Sequence, residues 1–269
     1  MSTALIADAP VLLDLEDDGV ARIRFNRPEA SNGMNVEFLQ SLHEAIMRCN
    51  SEPAVRVVVL SGEGKHFCAG GDVKTFASKG AALPHYLREA TGWLSMATSA
   101  LIQLGPPVIA QVHGFAAGGG GFGLVCAADL VVAGESAKLF SGAVRVGMAP
   151  DAGSTVTLQA IVGIRQAMRI LLTNPTLTAR EALGLGLVTE VVADEALAGR
   201  VDDLAAELAA SAPLALAATK RLVWAGVGAT VHERLPDEAR TVSELSGTAD
   251  SLEGLAAVME RRPPVFVGR

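Results

Sequence analysis

Two glycine-rich turns hold the residues of this 269-residue sequence whose types and spacing could do chemistry. They are Phe67-Cys68-Ala69-Gly70-Gly71-Asp72 and the run Gly114-Phe115-Ala116-Ala117-Gly118-Gly119-Gly120-Gly121-Phe122-Gly123. Each follows a short apolar run rich in β-branched residues, Val55 to Leu60 and Val108 to Val112. Glycine tolerates positive φ and lets a ligand approach a backbone N–H closely, so two such turns can aim two donors at one oxygen. A carbonyl oxygen that gains negative charge is stabilised there, and losing one donor of such a pair costs about 3 kcal/mol at the transition state. Taken singly, either turn reads equally well as a tight strand-to-helix connection.

Neighbouring polar residues have plainer readings. Asp72 is placed to cap the helix that should follow the first turn, with action on a ligand as the second reading. His113 stands before Gly114 as a turn residue, and His66 as a solvated loop histidine. Cys49, Cys68 and Cys126 lie far apart and form no C-x-x-C pair, which suggests neither a disulfide framework nor a zinc cage and leaves reduced, partly buried thiols. Gly118-x-Gly120-x-x-Gly123 also satisfies a dinucleotide-binding pattern. About twenty residues on, however, stand Lys138 and Leu139 where an acidic residue would hold a ribose, and no nucleoside-triphosphate loop motif occurs.

The elements that must position these turns follow from periodicity. Val11 to Leu15 and Val20 to Phe25 read as a hairpin around Glu16-Asp17-Asp18-Gly19. Val36, Leu39, Leu42, Ile46 and Cys49 recur at helical spacing, and Val55 to Leu60 is then a buried strand. Residues 83–104 are helical in pattern, Pro106-Pro107 breaks them, and Val108 to Val112 is a second buried strand. A short helix from about Phe122 and a strand from Leu130 to Ala133 come next. The unit is a repeated strand, turn and helix, with ligand sites expected where strands give way to helix N-termini. After Pro150 the pattern is mostly helical, with Thr178 and Glu181 spaced as a capping box and Leu187 to Val192 as one further strand. Helices dominate from Asp194 to Arg262, and a soft boundary near residue 200 divides a core of residues 1–200 from a helical region of residues 201–269.

The composition is half hydrophobic, as in a globular α/β protein, and the net charge of -7 offers no sequence-wide attraction to nucleic acid or to anionic lipid. The N-terminus lacks a basic segment followed by an apolar one, and no run of eighteen apolar residues occurs, so no membrane span is expected and the cytoplasm is the default location.

In combination these residues resemble the enoyl-CoA hydratase/isomerase, or crotonase, superfamily. The resemblance rests on Phe67-Cys68-Ala69-Gly70-Gly71-Asp72-Val73, on Val112-His113-Gly114 with Ala128-Asp129-Leu130, and on Val146-Gly147-Met148-Ala149-Pro150-Asp151. Asn26-Arg27-Pro28-Glu29-Ala30 and the C-terminal Phe266-Val267-Gly268-Arg269 add to it, so that it runs from about residue 11 to the end of the chain. It implies an α/β fold, a spiral of ββα units with a C-terminal helical region that serves trimerisation and the coenzyme A pocket. It further implies a homotrimer or a dimer of trimers, and an acyl-CoA thioester substrate with no separate cofactor and no metal.

Carried over by position, the resemblance gives the first oxyanion N–H to Gly71. This run holds one residue more than the usual pattern, so the second falls to Gly120 counting back from Asp129, the preferred position because the helix that follows fixes the direction of the donor, or else to Gly119 counting on from Gly114. Arg27, Ala30, Ala69, Gly71, Asp72, Gly119, Gly120 and Lys220 would surround the thioester, with Lys220 and Arg221 reaching the coenzyme A phosphates or else lying on a solvated helix face.

The hydratase pattern has two glutamates, whose places are held here by Gly123 and Ala143. Neither transfers a proton, whereas adding water to a double bond needs a group to activate the water and an acid to protonate carbon. Asp151, after Pro150, looks like the acidic residue that serves as base in the branch that shifts a double bond between the 3 and 2 positions. An apolar pocket would raise its pKa; its other reading is an N-cap for the helix beginning near Gly153. The activity implied is isomerisation of an enoyl-CoA, or a related proton shift, in fatty-acid or aromatic-acid catabolism. Hydration of an enoyl-CoA and non-catalytic acyl-CoA binding are the alternatives.

Overall fold

The computed structural model describes residues 1–269. Strands β1 (Ser2–Ile6), β2 (Val11–Glu16) and β3 (Val20–Phe25) form an antiparallel meander whose second turn closes on Gly19 at φ +87°. Helix α1 (Val36–Ser51) starts where the Asn35 side chain accepts the Phe38 N–H at 2.8 Å. It buries Phe38, Leu39, Leu42, Ala45, Ile46 and Cys49 on one face. The chain then runs through β4 (Val57–Gly62), α2 (Val73–Ser78), α3 (Leu83–Gln103), β5 (Val108–Val112), β6 (Phe115–Ala117), α4 (Gly118–Ala127), β7 (Leu130–Gly134) and β8 (Lys138–Phe140). After α5 (Ser154–Met168) come β9 (Leu177–Thr178), α6 (Ala179–Gly184), β10 (Glu190–Val192) and α7 (Leu197–Ala209). Helices α8 (Pro213–Ala225), α9 (Val231–Leu245) and α10 (Ala249–Glu260) complete it.

The main sheet has the order β1-β2-β3-β4-β5-β7-β10, parallel from β3 onward, and a second sheet has the order β6-β8-β9. Successive units coil into the α/β spiral with a C-terminal helical region that the family resemblance implies. Because side chains alternate across a strand, β4 sends Val58 and Leu60 to one face and Val57 and Val59 to the other. The first face joins the main core with Phe25, Phe38, Phe67 and Phe122. The second packs on Leu197, Val201, Ala205 and Ala209 of α7, where burying Leu197 and Val201 contributes roughly 2 kcal/mol each.

Several expectations shift. The helix expected from about Phe122 begins at Gly118, so the glycine run is the first helical turn and not a loop. Glycine disfavours helix, but here backbone packed against this turn leaves room for nothing larger: a Cβ on Gly121 would overlap the Cys68 carbonyl. Strands β4 and β10 start two and three residues later than the apolar runs that marked them, since Val55, Leu187 and Val188 are buried without pairing. The boundary near residue 200 falls inside α7, which packs on the sheet. Strand β1 and the small second sheet escape the periodicity altogether. No helix is long and apolar enough to cross a membrane.

Candidate active site

The first glycine turn is anchored by a residue that periodicity does not reveal. Asn32, fully buried and at φ +53°, donates through Nδ2 to the carbonyls of Glu63 (2.9 Å), His66 (2.8 Å) and Phe67 (3.2 Å), while its Oδ1 accepts the Arg27 N–H at 2.9 Å. Asparagine is among the few side chains that tolerate this backbone region. The Cys68 thiol donates to the Asn32 carbonyl at 3.1 Å and accepts the Gly70 N–H at 3.4 Å. Burial pushes that thiol up to about 12, so it is inert at neutral pH.

Main-chain bonds then use up the neighbouring amides. Cys68 N–H donates to Phe115, Ala69 N–H to Ser31 and Asp72 N–H to Met34, which leaves the Gly71 N–H as the one amide of this turn with no protein acceptor. Asp72 caps α2 by accepting the Thr75 N–H at 3.0 Å and pairs with Arg27 at 3.1 Å. Its carboxyl lies below the ordinary range: burial works against this, and the Thr75 and Arg27 bonds outweigh it. Arg27 also donates to the Gly33 carbonyl. Arg27 and Asp72 thus neutralise each other beside the first turn, Ala69 lies within it, and Ala30 accepts the Gly33 N–H.

The second turn is bonded directly to the first, through Ala117 N–H to the Cys68 carbonyl at 2.8 Å and Cys68 N–H to Phe115 at 3.0 Å. Gly118, at φ +63°, swings the chain into α4, and a Cβ added to it would lie 2.9 Å from Gly70 Cα. Only glycine permits that backbone approach. No side chain caps α4. The N–H groups of Gly118, Gly119 and Gly120 thus have no intrahelical acceptor and stand at the positive end of the helix dipole. Gly119 is half-buried beside Asp151, whereas Gly120 is buried beneath Met34, whose Sδ lies 2.5 Å from where a Cβ would stand. Phe76 covers Gly71 in the same way, its ring edge 2.5 Å from the position of a Cβ.

Asp151 reaches the second turn from the loop before α5. Its carboxylate caps nothing: the N-cap of α5 is Gly153, and Ser154 bonds the Asp151 main-chain carbonyl through its N–H (3.1 Å) and Oγ (2.8 Å). Instead Oδ1 lies against Gly119, where a side chain would overlap it. Burial raises the Asp151 carboxyl above the ordinary range, partly offset by its own backbone N–H. The structure therefore brings together an unpartnered amide at Gly71, the open first turn of α4 and a desolvated carboxylate. Gly123, one helical turn beyond Gly119, meets Ala152, and Ala143 begins a short 3-10 turn after Gly142.

Lys220, Arg221 and His66 behave otherwise than expected. Lys220 is buried, pairs with Asp129 at 2.8 Å and donates to the carbonyls of Leu101 and Pro106, both at 3.2 Å. Its three donors are saturated at the far end of α4 and the start of β5, about 15 Å along the helix from the glycine turn. Burial lowers its pKa and Asp129 opposes that. Within the chain Lys220 is therefore fully engaged by protein acceptors, and Arg221 bonds Asp237 and Thr241. His66 is not merely solvated either. Its Nδ1 accepts the Phe115 N–H at 3.2 Å, its ring packs 4.7 Å from that of Phe115, and burial, then His113 and Lys65, lower its pKa. His113 Nε2 lies 3.0 Å from the Gly64 carbonyl, a second clasp between the turns. No group of three or more side chains is arranged to hold a metal ion.

Residues 16–269 match the family described as enoyl-CoA hydratase/isomerase. The chain is 38% identical over 252 residues to a Rhodobacter capsulatus protein called "Probable enoyl-CoA hydratase", covering 94% of this chain and 96% of that one. It is 32% identical over 261 residues to the 1,2-epoxyphenylacetyl-CoA isomerase of Escherichia coli, covering 96% and 98%. Among solved structures, an enoyl-CoA hydratase from Bacillus anthracis superposes with a TM-score of 0.91 at 31% identity, covering 97% of this chain and 100% of that one.

Proposed function

Because the chain belongs to the enoyl-CoA hydratase/isomerase family, which acts on acyl-CoA thioesters, we propose that it is an enoyl-CoA double-bond isomerase with Asp151 as its acid and base. The observation that carries this reading is the desolvated Asp151 carboxylate against Gly119, where Gly123 and Ala143 offer no titratable group. Asp72, the other carboxylate beside the turns, is held by Arg27 and Thr75.

The thioester oxygen sits between the N–H groups of Gly71 and Gly119. Gly119 is taken here over Gly120, which counting back from Asp129 favours, because Gly119 borders Asp151. The Asp151 carboxylate takes a proton from C2 of a 3-enoyl thioester, and the C–H electron pair moves into a dienolate whose oxygen the two amides stabilise. The carboxylic acid then gives the proton to C4, which leaves a 2-enoyl thioester and restores the carboxylate. Hydration is the second reading, supported by the hydratase names among the relatives, but it requires a further group to activate water. A non-catalytic acyl-CoA binder would turn over neither substrate. Assay of the protein with 3-enoyl-CoA and 2-enoyl-CoA carrying short, long and aromatic acyl groups separates the three, and hydration far faster than isomerisation rejects the proposal.

The same reading extends to assembly. Val156, Ile164, Met168 and Leu172 in and after α5, and Leu252, Leu255, Val258 and Met259 on α10, are exposed apolar side chains that support packing against further copies in a homotrimer or dimer of trimers. Sedimentation is the check, and a stable monomer at micromolar concentration rejects the trimer. A cytoplasmic place of action is part of the same proposal.

A further inference from the structure

Next to Asp151 stands Ala152, a non-glycine residue held in the left-handed region at φ +50°. Such a residue persists where its surroundings fix it. The residue is 3% exposed, and its methyl faces Gly123, where an added Cβ would come within 2.5 Å of it. Gly119 and Gly123 lie one turn apart on the same side of α4, so one glycine makes room for the Asp151 carboxylate and the next for the Ala152 methyl. We infer that Ala152 and Gly123 form a knob and hole that position the catalytic carboxylate, so that Gly123 is required in this site and is not merely a glutamate lost.

This rests on the reading of Asp151 as the base. The test combines the single variant Ala152→Gly with the double variant Ala152→Gly/Gly123→Ala, which moves the methyl from the turn to the helix. Ala152→Gly relieves the left-handed strain, so its melting temperature should not fall. Its kcat should nevertheless drop roughly tenfold at unchanged KM, the scale of effect that a misplaced group produces. In 13C-aspartate NMR its Asp151 carboxyl should titrate closer to the ordinary range as the turn loosens. The double variant should recover kcat to within about threefold of wild type, together with the original titration. Wild-type kcat and titration in Ala152→Gly, or a double variant no better than the single, overturns the inference. Asp151→Asn, measured alongside, keeps the two claims apart: full activity there removes Asp151 as base, while the NMR titration still reports whether the knob and hole position it.

Discussion

Asp151 Oδ1 occupies the space into which a side chain on Gly119 would project, so carboxylate and helix N-terminus share one position that only glycine leaves open. Alanine at 119 gains roughly 1 kcal/mol of helix propensity yet must expel the carboxylate. Gly119→Ala should therefore melt no lower than wild type while isomerase kcat falls by about 10². Activity retained in a folded Gly119→Ala would place the reacting carboxylate elsewhere.

Burying Asp151 also has a cost to stability that depends on pH. Its folded pKa lies above the unfolded value of about 3.9. The stability this group contributes is thus fully present below the unfolded pKa and is lost as pH rises through the folded one. Asp151→Asn carries no charge, so it should melt above wild type at neutral pH, with the gap closing as pH falls towards about 4. Thermal melts across that range check this, and a gap independent of pH contradicts it.

Lys220, by contrast, belongs to the frame. Its ammonium is buried between Asp129 and two carbonyls, and Trp224 donates to the other Asp129 oxygen at 2.7 Å. Lys220→Met leaves Asp129 without its counter-charge and should cost about 3 kcal/mol of stability, followed by tryptophan fluorescence in denaturant. KM for an acyl-CoA should not change. A tenfold rise in KM would return Lys220 to the phosphates.

What was legible in the sequence divides along physical lines. The hairpin of β2 and β3, the amphipathic α1 and the capping box of Thr178 and Glu181 follow from short-range pattern, and the structure contains all of them. In the second turn the intrinsic propensity of glycine argues against helix. Tertiary contact with Cys68, Met34 and Ala152 decided otherwise. Strands of two or three residues, such as β6, β8 and β9, are too short to show alternation. Lys220 illustrates the converse limit, since nothing local distinguishes a lysine that meets Asp129 ninety-one positions away from one on a solvated face.

Asn32 is the other residue that local pattern hides, and it should matter to both stability and rate. Asn32→Ala leaves the carbonyls of His66 and Phe67 without this donor in the interior and removes an acceptor from the Arg27 N–H. The expected loss is about 3 kcal/mol, read from chemical denaturation. Because the staple holds the turn that carries Gly71, kcat should fall as well. Unchanged stability would mean that the turn is held chiefly by its main-chain bonds.

The proton shift itself is tested most directly by comparing wild type with Asp151→Asn on 3-enoyl-CoA at saturating concentration, following formation of the conjugated 2-enoyl thioester. Asparagine keeps the size and fold of the site but cannot accept the C2 proton. The account predicts a kcat lower by about 10² to 10⁴ with KM little changed, the usual share of general acid and base catalysis. Isomerisation by Asp151→Asn at the wild-type rate would contradict it.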